Sequence, residues 1–323
     1  MKYSKVRVSI IIVNWNGKKW LNQCLKSINS QEFSELHEII LVDNGSNDDS
    51  VKFVKTTFPN VNLVLLDKNY GFAEGNNIGM LKARGDYLIF INIDTQVHFN
   101  WLKNLIDCAD QNDEYQLLCS LQVRSKQSVF NVINSFFGVN MVHVSKKLPY
   151  IIESNFASGG CFLVRRNWLS RVGYLFDSSY FCYSEDVDLS LRTLFAGGKI
   201  GYVTDSVVSH FVSSKFDKLW IYRIDIINSL RTFQRLFSKS VFSRILIIKS
   251  ILILFGSIRS LNGIRRSVWQ FTGLVEFFIH HKFFYKKDTA FSGATIVNEK
   301  EVLKKISYTG FTGKFIKRVI FNL

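Results

Sequence analysis

Proline is nearly absent, with 2 residues in a chain of 323, and charged residues make up 21% against 47% hydrophobic. That balance excludes a disordered, collagen-like or low-complexity chain. The five cysteines, Cys24, Cys108, Cys119, Cys161 and Cys182, are widely spaced and form no C-x-x-C pair. A disulfide framework and a cysteine zinc site are thereby excluded. No apolar run reaches the ~20 residues needed to span a bilayer. The run at 8–13 is too short for a signal-peptide core and ends in Asn14-Trp15-Asn16-Gly17. No export signal is expected, and a reducing cytosol is the expected compartment.

Acidic residues are scarce at one end only. Residues 211–323 hold 6 Asp/Glu against 20 Lys/Arg, whereas residues 1–210 hold 20 against 21, so the formal charge of +15 belongs almost wholly to the last third. At ~100–200 residues per domain, the length suits a nearly neutral domain over 1–212 and a basic region over 213–323. A basic surface invites nucleic acid or an anionic membrane. No recognised nucleic-acid motif accompanies the charge, which favours the membrane.

What is present is an alternation of strand and helix patterns. Residues 6–13 are a β-branched run closed by Asn-Trp-Asn-Gly, followed by helical spacing of Leu21, Leu25 and Ile28. A second apolar strand at 38–43 closes on Asp43-Asn44-Gly45-Ser46, and a helix at 50–58 stops at Pro59. A third strand is expected at 61–66 and a turn-rich loop at 69–77 opening a helix. A fourth strand at 87–91 stops at Asn92-Ile93-Asp94-Thr95. Continuous apolar strands alternating with helices predict an α/β fold, a mostly parallel sheet covered on both faces. Such sheets bind ligands beyond the carboxyl ends of their strands. Those ends carry Asn14, Asp43 and 92–95, although Asn, Asp and Gly are also ordinary turn formers.

Beyond 212 the stretches 219–237, 242–258 and 267–281 read as helices with scattered basic residues. The run at 245–255 is the most hydrophobic in the chain, interrupted by Lys249. It fits either an interfacial helix or one buried against the preceding domain.

Three places carry candidate chemistry. Asp94 ends an apolar strand, where a carboxylate can hold Mg²⁺ beside substrate phosphates. Glu185, Asp186 and Asp188 crowd the start of a helix, a position the helix dipole favours even without a function. His210 closes an apolar run as either a structural histidine or a metal ligand.

The succession VSIIIVNWNG, EIILVDNGSNDDS, LDKNYGFAEGNNIG, GDYLIFINIDTQV, ASGGCFLVRR, FCYSEDVDLSLR and VVSHF resembles family 2 glycosyltransferases of the GT-A fold. It is most similar to their bacterial rhamnosyltransferase-like branch. The resemblance runs from about Val6 to about Phe211, and seven motifs in order make it specific. It implies that Asp43 contacts the nucleotide base, that Asn14 and Asn16 line the same pocket, and that Asn69, Gly71 and Asn76 lie near the nucleotide and its diphosphate. The metal motif, usually D-x-D, stands here as Asn92-Ile93-Asp94; the branch has N-P-D-T, so Ile93 replaces proline. Asp94 and His210 are then the metal residues for Mg²⁺ or Mn²⁺, and the Glu185–Asp186 pair supplies the base, Asp186 foremost. Gly159 and Gly160 fall beside the donor sugar, or else form a tight turn before a strand.

The function so implied is metal-dependent, inverting transfer of a sugar, rhamnose from dTDP-rhamnose being the first expectation and a UDP-hexose the second. The implied acceptor is a lipid-linked glycan for a bacterial surface polysaccharide (O-antigen or capsule). The implied location is peripheral, on the inner face of the plasma membrane, with a homo-oligomer left open. A nucleic-acid-binding protein is the remote alternative.

Overall fold

β-Branched, apolar runs become the central strands, and the polar residues that end them are left on one edge of the sheet. The structure, a computed structural model, describes residues 5–124, 127–135, 138–143, 148–211, 217–256, 261–280 and 297–306. In chain order the elements begin with β1 (Val8–Asn14), α1 (Lys18–Asn29), β2 (His37–Asn44), α2 (Ser50–Thr57), β3 (Asn62–Leu66), α3 (Gly71–Lys82) and β4 (Tyr87–Ile91). Then come β5 (Thr95–Val97), α4 (Trp101–Gln111), β6 (Tyr115–Arg124), β7 (Gln127–Ser135), β8 (Gly138–His143), β9 (Ile151–Ser154) and β10 (Cys161–Arg165). The chain continues through α5 (Arg166–Val172), α6 (Glu185–Phe195), β11 (Lys199–His210), α7 (Lys218–Leu236), α8 (Lys239–Gly256), α9 (Leu261–His280) and α10 (Glu299–Lys305).

The main sheet runs in the order β3-β2-β1-β4-β10-β6-β11-β5. Its first four strands are parallel, as their unbroken apolar sequences require. β10 is antiparallel to both β4 and β6, whereas β11 is parallel to β6. This reversal brings the start of β10 level with the end of β4, Cys161 opposite Ile91. The end of β11 lies at the same edge, His210 opposite Thr95. Register also sets Asn14 beside Asp43. The 92–95 loop, the glycines before β10 and His210 therefore meet at one edge, though far apart in the chain.

Alternation along the strands divides the core between two faces. Ile10 and Ile12 pack with Leu21, Cys24 and Ile28 of α1 and with Trp101 and Leu105 of α4. Ile11 faces the other way, into a cluster shared with Ala73 of α3 and Leu189 and Leu194 of α6. That cluster runs on without a break into Phe233 of α7, Ile245 of α8, Phe277 of α9 and Val302 of α10. All five cysteines are buried and unpaired.

α6 is anchored by Arg192, fully buried, which donates to Asp188 Oδ2 at 2.8 Å and to the carbonyls of Val172, Tyr174 and Leu175. The apolar run of α8 turns out to serve two surroundings. Ile245, Leu246 and Ile253 are buried, while Ile247 and Ile251 are exposed. α9 buries Ser267, Leu274 and Phe277, yet exposes Ile264, Val268, Phe271, Val275, Phe278 and Ile279. The exposed set recurs at helical spacing, a continuous apolar stripe. Arg265 is exposed at its margin, whereas Arg266 lies over the Tyr222 ring of α7. No helix among the described residues is long and apolar enough to cross a membrane. The expected helices at 242–258 and 267–281 end in part outside the described residues, as does the remainder of the basic region at 281–296 and 307–323.

Candidate active site

Asn14 and Asp43, set side by side by register, open the site. Asn14 Nδ2 donates to Asp43 Oδ1 at 2.8 Å and to Ser46 Oγ at 3.1 Å, while its Oδ1 accepts from the Gly17 amide. Asp43 Oδ2 accepts from the Ser46 amide at 3.0 Å. Asn16, at φ +50°, accepts from the Asn47 amide at 2.7 Å. The loops after β1 and β2 are thus stitched into one polar rim. Its carboxylate is buried but bonded once through each oxygen, leaving a further lone pair on each.

The third loop joins through Asn69, whose Oδ1 accepts from Asn44 Nδ2 at 3.0 Å and from the Gly71 amide at 2.9 Å. Gly71 has φ +90°, and a Cβ there would lie 2.3 Å from the Phe181 carbonyl oxygen. Only glycine fits so close a passage. It lets the Phe72 amide donate to Phe181 O at 2.6 Å, tying this loop to the segment before α6. Asn76 is buried, and its amide donates to the Phe72 carbonyl one turn back in α3.

At the edge of β4 and β11, Asp94 Oδ1 lies 3.4 Å from His210 Nε2. Asn92 Nδ2 is also 3.4 Å from that nitrogen, and Asn92 Oδ1 is buried without a hydrogen-bond partner. On the other side of the ring, His210 Nδ1 meets Gln122 Oε1 at 3.2 Å. Gln122 Nε2 donates to Ser158 Oγ at 2.9 Å, with its amide oxygen toward the ring. The tautomer with the proton on Nδ1 satisfies that oxygen and leaves the Nε2 lone pair on the side of Asp94 and Asn92. A carboxylate and an imidazole nitrogen at this spacing, with the Asn92 side chain beside them, suit a divalent cation. Among the described residues no three His, Cys, Asp or Glu side chains converge as a ready cage. A cation held here would complete its shell with phosphate oxygens and water, as Mg²⁺ usually does.

The glycines bridge this pair to the acidic motif. A Cβ on Gly160 would lie 2.9 Å from Gln122 Nε2 and 3.0 Å from His210 Nδ1, and the Gly160 carbonyl accepts from the Asn92 amide. The Gly159 amide donates to Asp186 Oδ2 at 3.1 Å, while the Val187 amide donates to Oδ1 at 2.9 Å. Burial pushes Asp186 up to about 6, against the pull of these amides. Burial and the neighbouring Asp186 charge push Glu185 well above the carboxylate range, and its Oε2 has no hydrogen-bond partner. Both carboxyls are thus harder to ionise than ordinary ones, and Asp186 has the two amides that favour its charged form. Asp188 is consumed structurally, bonded to Arg192 and, at 2.7 Å, to Arg235. The three carboxylates thus differ in setting, Asp186 bonded to two amides, Glu185 buried with one oxygen unpartnered, and Asp188 paired with two arginines.

Gln122 was not foreseen from the sequence; β6 also carries Gln116, Ser120 and Arg124, so one more polar side chain there gives no signal of its own. Ser46 and Asn44, which knit the rim together, hide within a run of turn-forming residues.

With this geometry in place, likeness to other proteins becomes informative. Residues 9–173, slightly over half the chain, match the family model for glycosyl transferase family 2. Rhamnosyltransferase WbbL of Escherichia coli K12 is 28% identical over 225 residues, 63% of this chain and 83% of that protein. The uncharacterized glycosyltransferase YfnE of Bacillus subtilis 168 is 33% identical over 118 residues, and the match spans 36% of this chain and 30% of YfnE. Among solved structures, GalNAc-T7 with UDP, GalNAc and Mn²⁺ superposes with a TM-score of 0.63 at 17% identity, over 86% of this chain and 56% of that one. Staphylococcus aureus TarS 1–349 in complex with UDP-GlcNAc gives 0.58 at 15%, over 84% and 80%. At these identities the structures speak for the fold, which is the expected GT-A arrangement.

Proposed function

The chain belongs to glycosyl transferase family 2, and from that premise we propose an inverting transfer of a sugar from a nucleotide donor to a lipid-linked glycan acceptor in bacterial surface polysaccharide synthesis. The observation that carries the reading is the Gly159–Gly160 bridge. It holds the Asp186 carboxylate on one side and abuts the Asp94–His210 pair on the other. A proton acceptor and a phosphate-holding pair are what a single displacement at an anomeric carbon requires.

In that displacement Asp186 takes the proton of the acceptor hydroxyl as its oxygen bonds to the anomeric carbon. The bond from that carbon to the donor phosphate breaks, and the electron pair leaves with the nucleoside diphosphate. Burial and the Asp186 charge both disfavour a second negative charge on Glu185 beside the base. Asp43, Asn14 and Asn16 hold the base end of the nucleotide, and Asn69 and Gly71 shape the floor beside it. Asn92, Asp94 and His210 are the residues to hold Mg²⁺ or Mn²⁺, which when bound neutralises charge growing on the leaving diphosphate. Gln122 keeps His210 in the tautomer that this needs.

For the donor, the similarity to WbbL along most of its length supports dTDP-rhamnose. A UDP-hexose is the second reading, favoured by the fold shared with the UDP-GlcNAc complex of TarS. Residues 213–323 are assigned to the membrane surface and acceptor, supported by their positive charge and the exposed stripe on α9. A thermal-shift screen of dTDP, UDP and GDP and their sugars identifies the donor by its rise in Tm. With that donor, Asp186→Asn abolishes transfer and leaves nucleotide affinity unchanged. Full activity in the variant refutes the base assignment, and a response confined to UDP-sugars refutes rhamnose.

A further inference from the structure

Tyr183 and Ser184, the two residues before the Glu185–Asp186 pair, both have left-handed backbone, at φ +67° and +68°. Neither is glycine, so each sits in a conformation its Cβ disfavours, and two in succession persist only where neighbours over-determine them. The neighbours are on α7. Asn228 Nδ2 donates to the carbonyls of Cys182 at 3.0 Å and Tyr183 at 2.9 Å. Asp225 Oδ1 accepts from Ser184 Oγ at 2.9 Å. Further along, the hydroxyls of Thr232 and Tyr180 share a hydrogen bond at 2.8 Å, and Arg235 pairs with Asp177 and Asp188. Residues 225, 228, 232 and 235 are spaced by three, four and three, which places them along one face of the helix. That whole polar face is spent on the segment from Asp177 to Asp188.

We propose that α7 is part of the catalytic apparatus. Asn228 and Asp225 are positioning residues that hold the Tyr183–Ser184 turn, and through it set Asp186 against Gly159 and the acceptor. Asn228 is buried and gives both amide hydrogens to successive carbonyls, a grip that a packing contact would not supply. Released, the turn relaxes toward ordinary backbone and Asp186 shifts; a displacement of ~1 Å at a reacting group costs on the order of 100-fold in rate. The catalytic consequence rests on Asp186 being the base, whereas the grip itself does not.

The test uses the full-length chain with the nucleotide sugar found in the donor screen. Asn228→Ala lowers kcat by about 10–100-fold and leaves the donor KM within about 3-fold, since the nucleotide rim is untouched. Backbone amides 182–187 exchange with deuterium faster in this variant. Adding Tyr183→Gly, which adopts left-handed backbone without penalty and keeps the Ser184 hydroxyl on Asp225, restores most of the lost kcat and of the protection. A global loss of stability would not be repaired by glycine at that one position. Should Asn228→Ala not fold, Ser184→Ala, which deletes only the hydroxyl held by Asp225, must show the same split at about 3–10-fold on the same geometric ground. Unchanged kcat, a loss confined to KM, or no recovery with glycine overturns the proposal. If the wild-type chain transfers no sugar, the functional reading falls and the exchange measurement alone decides the grip: unaltered protection at 182–187 overturns it.

Discussion

Asp186 and Glu185 show how placement sorts identical chemistry. Both lie in the first turn of α6 and burial raises both, but Asp186 receives the Gly159 and Val187 amides, which pull it back down. With Asp186 at about 6, transfer is expected to fall tenfold per pH unit below that point. A pH profile of kcat/KM checks this. An ordinary aspartate titrates near ~3.9, so the folded chain binds this proton more tightly than the unfolded one. The stabilisation from proton binding is fully present below about 4 and is lost as pH rises through about 6. Asp186→Asn should consequently raise Tm at pH 7.5 by about 2–5 °C and much less at pH 4, which calorimetry would show. Gln122 acts at one remove. Gln122→Met frees the His210 ring, and Mn²⁺ affinity measured by electron paramagnetic resonance should drop about 10–100-fold. The residues at strand ends were legible because a polar group after an apolar run stands out. Gln122, Asn228 and Asp225 were not, because a single polar residue inside a strand or helix looks like any solvated one until its partners are known.

Elements were read more fully than their directions. The strands and helices of residues 8–91 stand within a few residues of where periodicity placed them, except that α3 begins at Gly71, inside the stretch expected to be a turn-rich loop; β5 and α4 had no counterpart in that reading. The antiparallel run of β10 was not foreseeable, since Cys161–Arg165 is as uniformly apolar as its parallel neighbours and pairing direction leaves no mark on composition. α8 left two readings open; the side carrying Ile245, Leu246 and Ile253 is buried, as a packed helix requires, and Ile247 and Ile251 on another side are exposed. α9 carries the cleaner signal. Its exposed apolar stripe with Arg265 at the margin fits the proposed contact with an anionic interface. Replacing Val268 and Phe271 together by Glu should abolish flotation with vesicles containing anionic phospholipid. Hydrolysis of the soluble donor should remain, as neither side chain approaches the site residues. Flotation unchanged by the pair would remove α9 from the membrane contact.

Across the whole molecule, charge and core follow different boundaries. The net charge changes character near residue 211, yet the hydrophobic cluster beneath α6 continues through α7 to α10, and α7 grips the segment before α6. The acidic motif and the basic helices accordingly share one folded body. The five buried cysteines make that unity measurable. Burial raises every one of their thiols, so little thiolate is available to a modifying reagent in the native chain. They are dispersed over α1, α4, β6, β10 and the turn before α6, so labelling under native conditions becomes a clock for each layer's opening. Four should react together, at the rate of global unfolding. Cys182, whose carbonyl is held by Asn228, should keep their pace in the wild type and run ahead of them once that amide is removed, which mass spectrometry of the labelled peptides would resolve. A residue with no part in the chemistry thus becomes the chain's own reporter of whether its base is in place.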